Sequence, residues 1–231
     1  MVDFSSRPEH RTAMHQVTDL LAARCRKPRG QGASRRAEIL DAAKRLFADE
    51  GVAHVTMRRI AAAVGVSPTA LYMHFTDKDA ILLAIAQDTF SDLVERLQAA
   101  PEPNAPPLDR LRAGLRAYAA FGLARPDEYR LTLMTRFLPP RAEKSRVLPV
   151  ADQSFAILQG TVIDLMRAGQ FRPGNADQVA ELIWATMHGV TALLLDKPDH
   201  LCTAPATLID FAIDTLIAGL TAPAIAASAP K

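Results

Sequence analysis

Residues 56–75 read TMRRIAAAVGVSPTALYMHF. The order of residue types in this stretch predicts two short helices joined by a sharp turn. Thr56 can cap the first helix, because its hydroxyl accepts from a backbone N–H left free at a helix start. Ile60, Ala61 and Val64 recur at three- and four-residue spacing and make one apolar face. Gly65 follows the last apolar residue, where the chain must take a left-handed conformation that a Cβ disfavours. Ser67 restarts helix as an N-cap, and Pro68 fits the first helical position, where a missing N–H costs nothing. Leu71 and Phe75, four apart, bury the second helix. Thr69, Ala70, Tyr72, Met73 and His74 are left for the outer face or its rim, and small Ala61 suits a close approach of the two helices. This is the layout of a DNA-reading helix-turn-helix; an ordinary helical hairpin is the bland alternative.

The flanks sharpen that reading. Upstream, RRAEILDAAKRLFADEG (residues 35–51) places Ile39, Ala43, Leu46 and Phe47 on one helical face and ends in Gly51. Downstream, Thr76 is expected to cap a new helix, with Asp79 as a capping-box-like partner three residues on. The stretch from Arg35 to about Leu83 resembles the DNA-binding domain of the tetracycline-repressor (TetR) family of bacterial regulators. The matching residues are Ile39 through Gly51, the short link His54-Val55-Thr56, Ile60-Ala61, Val64-Gly65-Val66-Ser67, Leu71-Tyr72, His74-Phe75 and Lys78.

That resemblance implies a transcriptional regulator, a repressor above an activator, working as a homodimer on double-stranded DNA. The helix around Pro68–His74 is then expected in the major groove. Thr69 and Ala70 would face base edges, and Tyr72 and His74 phosphates or the groove edge. Thr56, by its hydroxyl and helix N-terminus, and Lys78, by charge, would hold phosphates, with Ser67 beside them at the start of the reading helix. Arg58 is a further backbone contact, and Arg35 and Arg36 can reach the backbone from the start of the first helix.

Composition fits this picture. A 49% hydrophobic content with 6% aromatics favours an all-α fold with a sizeable core. The net charge of +2 is bland, but residues 1–80 hold 13 Lys/Arg against 9 Asp/Glu, so the surplus lies beside the helix-turn-helix. Its densest block is Arg24, Arg26, Lys27, Arg29, Arg35 and Arg36, a solvated arm that DNA contact would also explain. Cys25 and Cys202 stand far apart and suggest neither a disulfide framework nor a zinc site. No signal peptide or membrane-length apolar run is evident, so a bacterial cytoplasmic setting is expected.

Four regions follow. Residues 1–33 form a basic extension, in which Met14 is a second candidate start. Residues 34–80 form the reading head, residues 81–221 a helical effector-binding and dimerisation domain, and residues 222–231 a disordered Ala/Pro-rich tail. A long helix from Asp77 to about Ala100 precedes the breaker PEPNAPP (101–107). Helices are then expected over 108–124, 127–137, 151–168, 176–195 and 204–220, with a polar loop at 139–149.

The last two helices are apolar nearly all round, which asks for full burial or a second subunit. The resemblance implies the latter, a four-helix dimer interface, for which Ala185, Gly189, Ala192, Leu193, Leu208, Phe211, Ala212 and Leu216 are candidates. WATMHGV (184–190) further resembles a C-terminal domain type within the family that carries a Trp and a His-Gly in this helix. Trp184 and His188 share a helical face. With Tyr118, Phe121, Tyr129, Met134, Phe155 and Leu158 they are candidates to line a pocket for an unidentified small-molecule effector, though each taken singly reads first as plain core.

No enzyme signature competes. The histidines at 10, 15, 54, 74, 188 and 200 make no zinc-protease pair, and no phosphate loop, nucleophile elbow or Glu-x-x-His metal motif occurs. Asp49-Glu50 and Asp127-Glu128 sit at helix ends, where helix dipoles are expected to account for them. No cofactor or metal is expected.

Overall fold

In the computed structural model, residues 32–135 and 149–221 are described. The basic block before residue 31, Met14, the polar segment to residue 148 and the tail from residue 222 lie outside the described residues. The chain divides into a short N-terminal unit ending at Glu38 and a second unit from Ile39 onward. In the first, Arg35 is ion-paired to Glu38 at 2.6 Å, and Ser34 donates to the same carboxylate at 3.3 Å.

Helix α1 (Gly32–Glu50) runs across that division and ends at Gly51, whose φ of 79° is the left-handed cap that the glycine permits. Helix α2 (Met57–Val64) starts at Thr56, whose hydroxyl accepts from the Arg59 N–H at 3.2 Å, and stops at Gly65 with φ 68°. Helix α3 (Pro68–Tyr72) starts at Ser67, whose hydroxyl accepts from the Ala70 N–H at 3.1 Å. Both caps and the turn stand where residue type places them. The next cap does not stand on Thr76. Helix α4 (Lys78–Ala99) is capped by Asp77, whose carboxylate accepts from the Ala80 N–H at 2.7 Å. Thr76 instead donates its hydroxyl to Asp77 at 3.2 Å. A carboxylate gains more than a hydroxyl from the positive end of a helix, which accounts for the one-residue shift, and Asp79 becomes a first-turn acid rather than a box partner.

The reading head closes on Ile39, Ala43, Leu46 and Phe47 of α1, Ile60 and Ala61 of α2, Leu71 and Phe75 at α3, and Ile81, Leu82 and Ile85 from the first turns of α4. A second core belongs to the C-terminal bundle. There α4 continues through Ala86, Phe90 and Leu93, and packs on α5 (Pro107–Ala124) and α7 (Pro149–Arg167). Helix α8 (Ala176–Asp196) crosses α5 and α7, and α9 (Pro205–Leu220) lies on α8 and α5. Arg112–Asp214 and Arg116–Asp210 pairs tie α5 to α9, and Arg110–Asp164 ties α5 to α7. No extended strand occurs among the described residues, where Phe171 and Thr221 make an isolated bridge. The fold is all-α.

The helix expected over 127–137 is built differently. Helix α6 (Pro126–Tyr129) passes directly into a π-helical turn, Arg130–Met134. The wider turn sends neighbouring residues to different cores: Tyr129 is buried in the bundle, Leu131 in the reading head. Hydrophobic periodicity at 3.6 residues cannot signal a turn of another width.

At Gly122, α5 lies close against α6 and α8. A Cβ there would lie 2.5 Å from Thr191 Cγ2 and 3.0 Å from the Tyr129 ring. Gly122→Ala should therefore overpack a buried contact and destabilise the protein by about 1–3 kcal/mol, read as a lowered urea midpoint; unchanged stability would show that α6 and α8 yield freely.

Candidate nucleic-acid interface and C-terminal site

The outer side of the helix-turn-helix carries Thr69, Tyr72 and His74 exposed to solvent, with Ala70 half-buried. The opposite side of α3 is fixed by Leu71 and Phe75 in the head core, so the side chains between them are presented rather than mobile. Tyr72 is 53% exposed and Met73 84%. Met73 stood among the outer residues of the sequence without an assigned role; its i, i+4 relation to Thr69 is the signal that places it on the same row. Thr56 and Ser67 each spend hydroxyl acceptor capacity on a helix cap, but each keeps an O–H to donate.

The basic residues differ in their surroundings. Arg58 is exposed at the start of α2, with no bonded partner among the described residues. Arg36 is exposed, and Arg35 is held by Glu38. Lys78, expected to hold a phosphate, donates from Nζ to the Val52 carbonyl at 2.7 Å and so clamps the loop after α1 to the start of α4. A contact 26 residues away in the chain leaves no local trace in sequence. Its remaining ammonium hydrogens stay available to an anion. Glu50 also departs from expectation. It lies at the C-terminal end of α1, where the dipole disfavours an acid, and it is compensated by Arg59 at 2.8 Å rather than by the helix.

In the bundle, five of the eight effector candidates form a continuous aromatic cluster. Tyr129 and His188 stack with ring centroids 5.6 Å apart, Tyr118 meets Tyr129 edge-on at 5.9 Å, and Trp184 lies 5.9 Å from His188 and 6.3 Å from Phe155. The Tyr129 hydroxyl lies 2.7 Å from His188 Nδ1 and 2.9 Å from the Tyr118 hydroxyl, which is itself 3.2 Å from Nδ1. Phe121 is fully buried beneath the Arg96 guanidinium, 6.0 Å from the ring centroid. Met134 and Leu158 are partly buried against the same core.

The Tyr118 and Tyr129 hydroxyls and His188 Nδ1 thus form a closed set of three hydrogen-bonding atoms, in which Nδ1 accepts from a phenol when the imidazole proton is on Nε2. Burial pushes the His188 pKa down, and it pushes both tyrosine pKa values up, that of Tyr129 with a further contribution from Tyr118. All three groups are thus neutral at pH 7, and the tautomer with its proton on Nε2 would offer that N–H as a donor.

The remaining candidates make a face rather than a pocket. One side of α8 is in the core through Ala180, Ile183, Met187, Thr191 and Leu194. Its other side exposes Leu182, Leu193 and Ala185, and Gly189 has open space where a Cβ would stand. On α9, Phe211 is 68% exposed, while Leu208, Ala212 and Leu216 are half-buried. Ala192 sits half-buried at the edge. A groove of about 360 Å³ between α8 and α9 runs along this face, lined by Leu182, Thr186, Phe211, Ala212 and Leu216 among others. Helix α8 is long and apolar enough by composition to cross a membrane, yet its apolar residues divide between the core and this face. Among the described residues no cluster of metal-ligating side chains occurs.

Comparison with known proteins agrees at both ends of the chain. Residues 39–85 match the family model for bacterial regulatory proteins of the tetR family, and residues 111–216 match the model for a tetracyclin repressor-like C-terminal domain. The HTH-type transcriptional repressor Rv1474c of Mycobacterium tuberculosis is 37% identical over 97 residues, which are 42% of this chain and 45% of that protein. The chain thus matches less than half the length of this curated relative. The nucleoid occlusion factor SlmA of Vibrio cholerae is 29% identical over 156 residues, covering 66% of this chain and 76% of its own. A bacterial regulatory protein of the tetR family from Rhodococcus RHA1 superposes with a TM-score of 0.70 at 20% identity, over 82% of this chain and 98% of that one. With a matching model on the reading head, a second on the bundle and the same fold throughout, the chain belongs to the tetR family of bacterial regulatory proteins.

Proposed function

We propose that this DNA-binding regulator is a homodimeric, cytoplasmic repressor that holds a palindromic operator and releases it when a small molecule binds in the C-terminal bundle. The observation that carries the DNA reading is the capped helix-turn-helix, whose buried side is locked by Leu71 and Phe75 and whose outer side is open. Thr69 and Ala70 meet base edges. Tyr72, His74, Thr56, Ser67, Arg58, Arg35, Arg36 and Lys78 meet the backbone and set register.

Two heads are needed because half-sites lie a DNA turn apart. The stripe of Leu182, Gly189, Leu193, Phe211 and Ala212 supports a second copy of the chain against α8 and α9, with Leu208, Leu216, Ala185 and Ala192 at its margins. The Tyr118–Tyr129–His188 triad with Trp184 and Phe155 supports the effector site, where Nε2–H of a neutral His188 suits a ligand bearing a hydrogen-bond acceptor. Phe121, Met134 and Leu158 supply its apolar surroundings. A ligand moves the equilibrium only by its difference in affinity between the DNA-competent and released dimers.

The direct test is a fluorescence-anisotropy titration against duplexes tiled across the region upstream of the protein's own gene, at two salt concentrations. Saturable, salt-sensitive binding to one palindrome-containing duplex is the expected result; equal weak binding to all of them overturns the operator reading. Arg58→Ala should weaken binding to every duplex alike and lower the salt slope by about one, whereas Thr69→Ala should change the ranking of duplexes. Equal losses everywhere for both would refute the division between positioning and reading. Phe211→Glu combined with Leu193→Glu should yield a monomer in sedimentation velocity and abolish tight operator binding; a dimer of unchanged affinity would place the interface elsewhere.

A further inference from the structure

The surface of the reading helix is chemically unusual in what it omits. From Ser67 to Phe75 there is no Arg, Lys, Asn, Gln, Asp or Glu. Guanine is read in the major groove chiefly by bidentate Arg or Lys, adenine by bidentate Asn or Gln, and cytosine by an accepting carboxylate. None of those pairings can be made from this helix. What it presents instead is one short hydroxyl, Thr69, one methyl, Ala70, the His74 imidazole, and two large side chains, Tyr72 at 53% exposure and Met73 at 84%.

An isolated exposed apolar residue needs no explanation by itself. Met73 differs because of where it stands. It follows Thr69 by one helical turn, so the two share the outer row. Its backbone remains helical, with φ −70° and ψ −21°, and its N–H donates to the Thr69 carbonyl at 3.3 Å. Leu71 and Phe75 on the opposite side hold that row outward. The unbranched thioether is apolar and adapts to an irregular surface. Of the four bases, only thymine presents an apolar group, the C5-methyl, in the major groove.

We propose that Met73 is a specificity residue that reads thymine, covering a C5-methyl in each operator half-site, so that the operator is selected largely by methyl contacts rather than by charged bidentate pairs. This rests on the helix-turn-helix being the DNA reader. Phosphate contacts from Arg58 and its neighbours then supply affinity without sequence information.

The probe is a duplex recovered by the full-length protein from a randomised pool, remade with each thymine in turn replaced by deoxyuracil. That change removes the methyl and keeps the base pair. Wild-type protein should lose about fourfold in affinity for each methyl that Met73 covers, at one symmetry-related position per half-site. Met73→Ala should be weaker on the thymine duplex and indifferent to uracil at that same position, so the two losses do not add. Its thermal unfolding should match wild type, since the side chain packs on nothing in the head. A wild-type protein insensitive to uracil at every position overturns the proposal while leaving the regulator intact. So does a Met73→Ala loss that is equal on thymine and uracil duplexes. Failure to enrich any sequence from the pool overturns both this inference and the operator reading beneath it.

Discussion

Helix α4 belongs to two hydrophobic cores at once. Ile81, Leu82 and Ile85 complete the reading head, while Ala86, Phe90 and Leu93 belong to the bundle. The two cores overlap along an unbroken helix, with Leu83 packed on the bundle before Ile85 closes the head, so no hinge separates them. An α-helix does not rotate freely about its own bonds; to turn the head against the bundle, α4 must tilt as a rod or one core must give up contacts. The Asp77 cap and the Lys78 clamp onto Val52 fix the near end of that rod. Any relative motion of head and bundle is subject to this constraint.

A second connection runs beside it. Tyr129 is held by His188, and two residues later Leu131 fills the head core, with the π turn between them. Glu128, one residue earlier, lies 3.7 Å from Lys44 of α1. Moving Tyr129 therefore moves backbone that carries a head-core side chain. Arg130 restrains the same segment through Asp196 and the Leu195 carbonyl at the end of α8. Two connections of different kind, a rod and a plug, make relative motion of head and bundle a concerted event: tilting α4 while Leu131 stays seated would open the head core. Interiors packed at crystal-like density resist such gradual deformation and favour discrete arrangements.

Local chemistry was legible, and long-range chemistry was not. Thr56, Gly65, Ser67 and Pro68 act through neighbours within a few residues, so residue type alone placed the caps and the turn. The Thr76 cap failed because two adjacent residues could both do the work, and the charged one prevailed. The π turn left no mark because hydrophobic patterning at 3.6 residues does not carry its period. Lys78 with Val52, Glu50 with Arg59, and the Tyr118–Tyr129–His188 triad depend on side chains brought together from distant segments. The sequence marked His188 and Trp184 through their shared helical face, but their partners on α5 and α6 entered only as apolar candidates. What geometry added there was the burial that keeps His188 neutral and the two phenols set against its Nδ1.

On the proposed reading, affinity and selectivity fall to different residues in this head. Arg58 lies at the start of α2 and Lys78 at the start of α4, while residues 67–75 hold no Lys, Arg, Asp or Glu. A phosphate contact gains free energy by releasing counterions and is indifferent to sequence. A methyl contact gains little individually and only where a thymine stands. A head that reads in this proposed way would discriminate weakly per position and would need several positions, in two half-sites, to single out an operator. Dimerisation through the exposed face of α8 and α9 would therefore be part of the recognition chemistry, because it doubles the number of small apolar contacts that must be satisfied together.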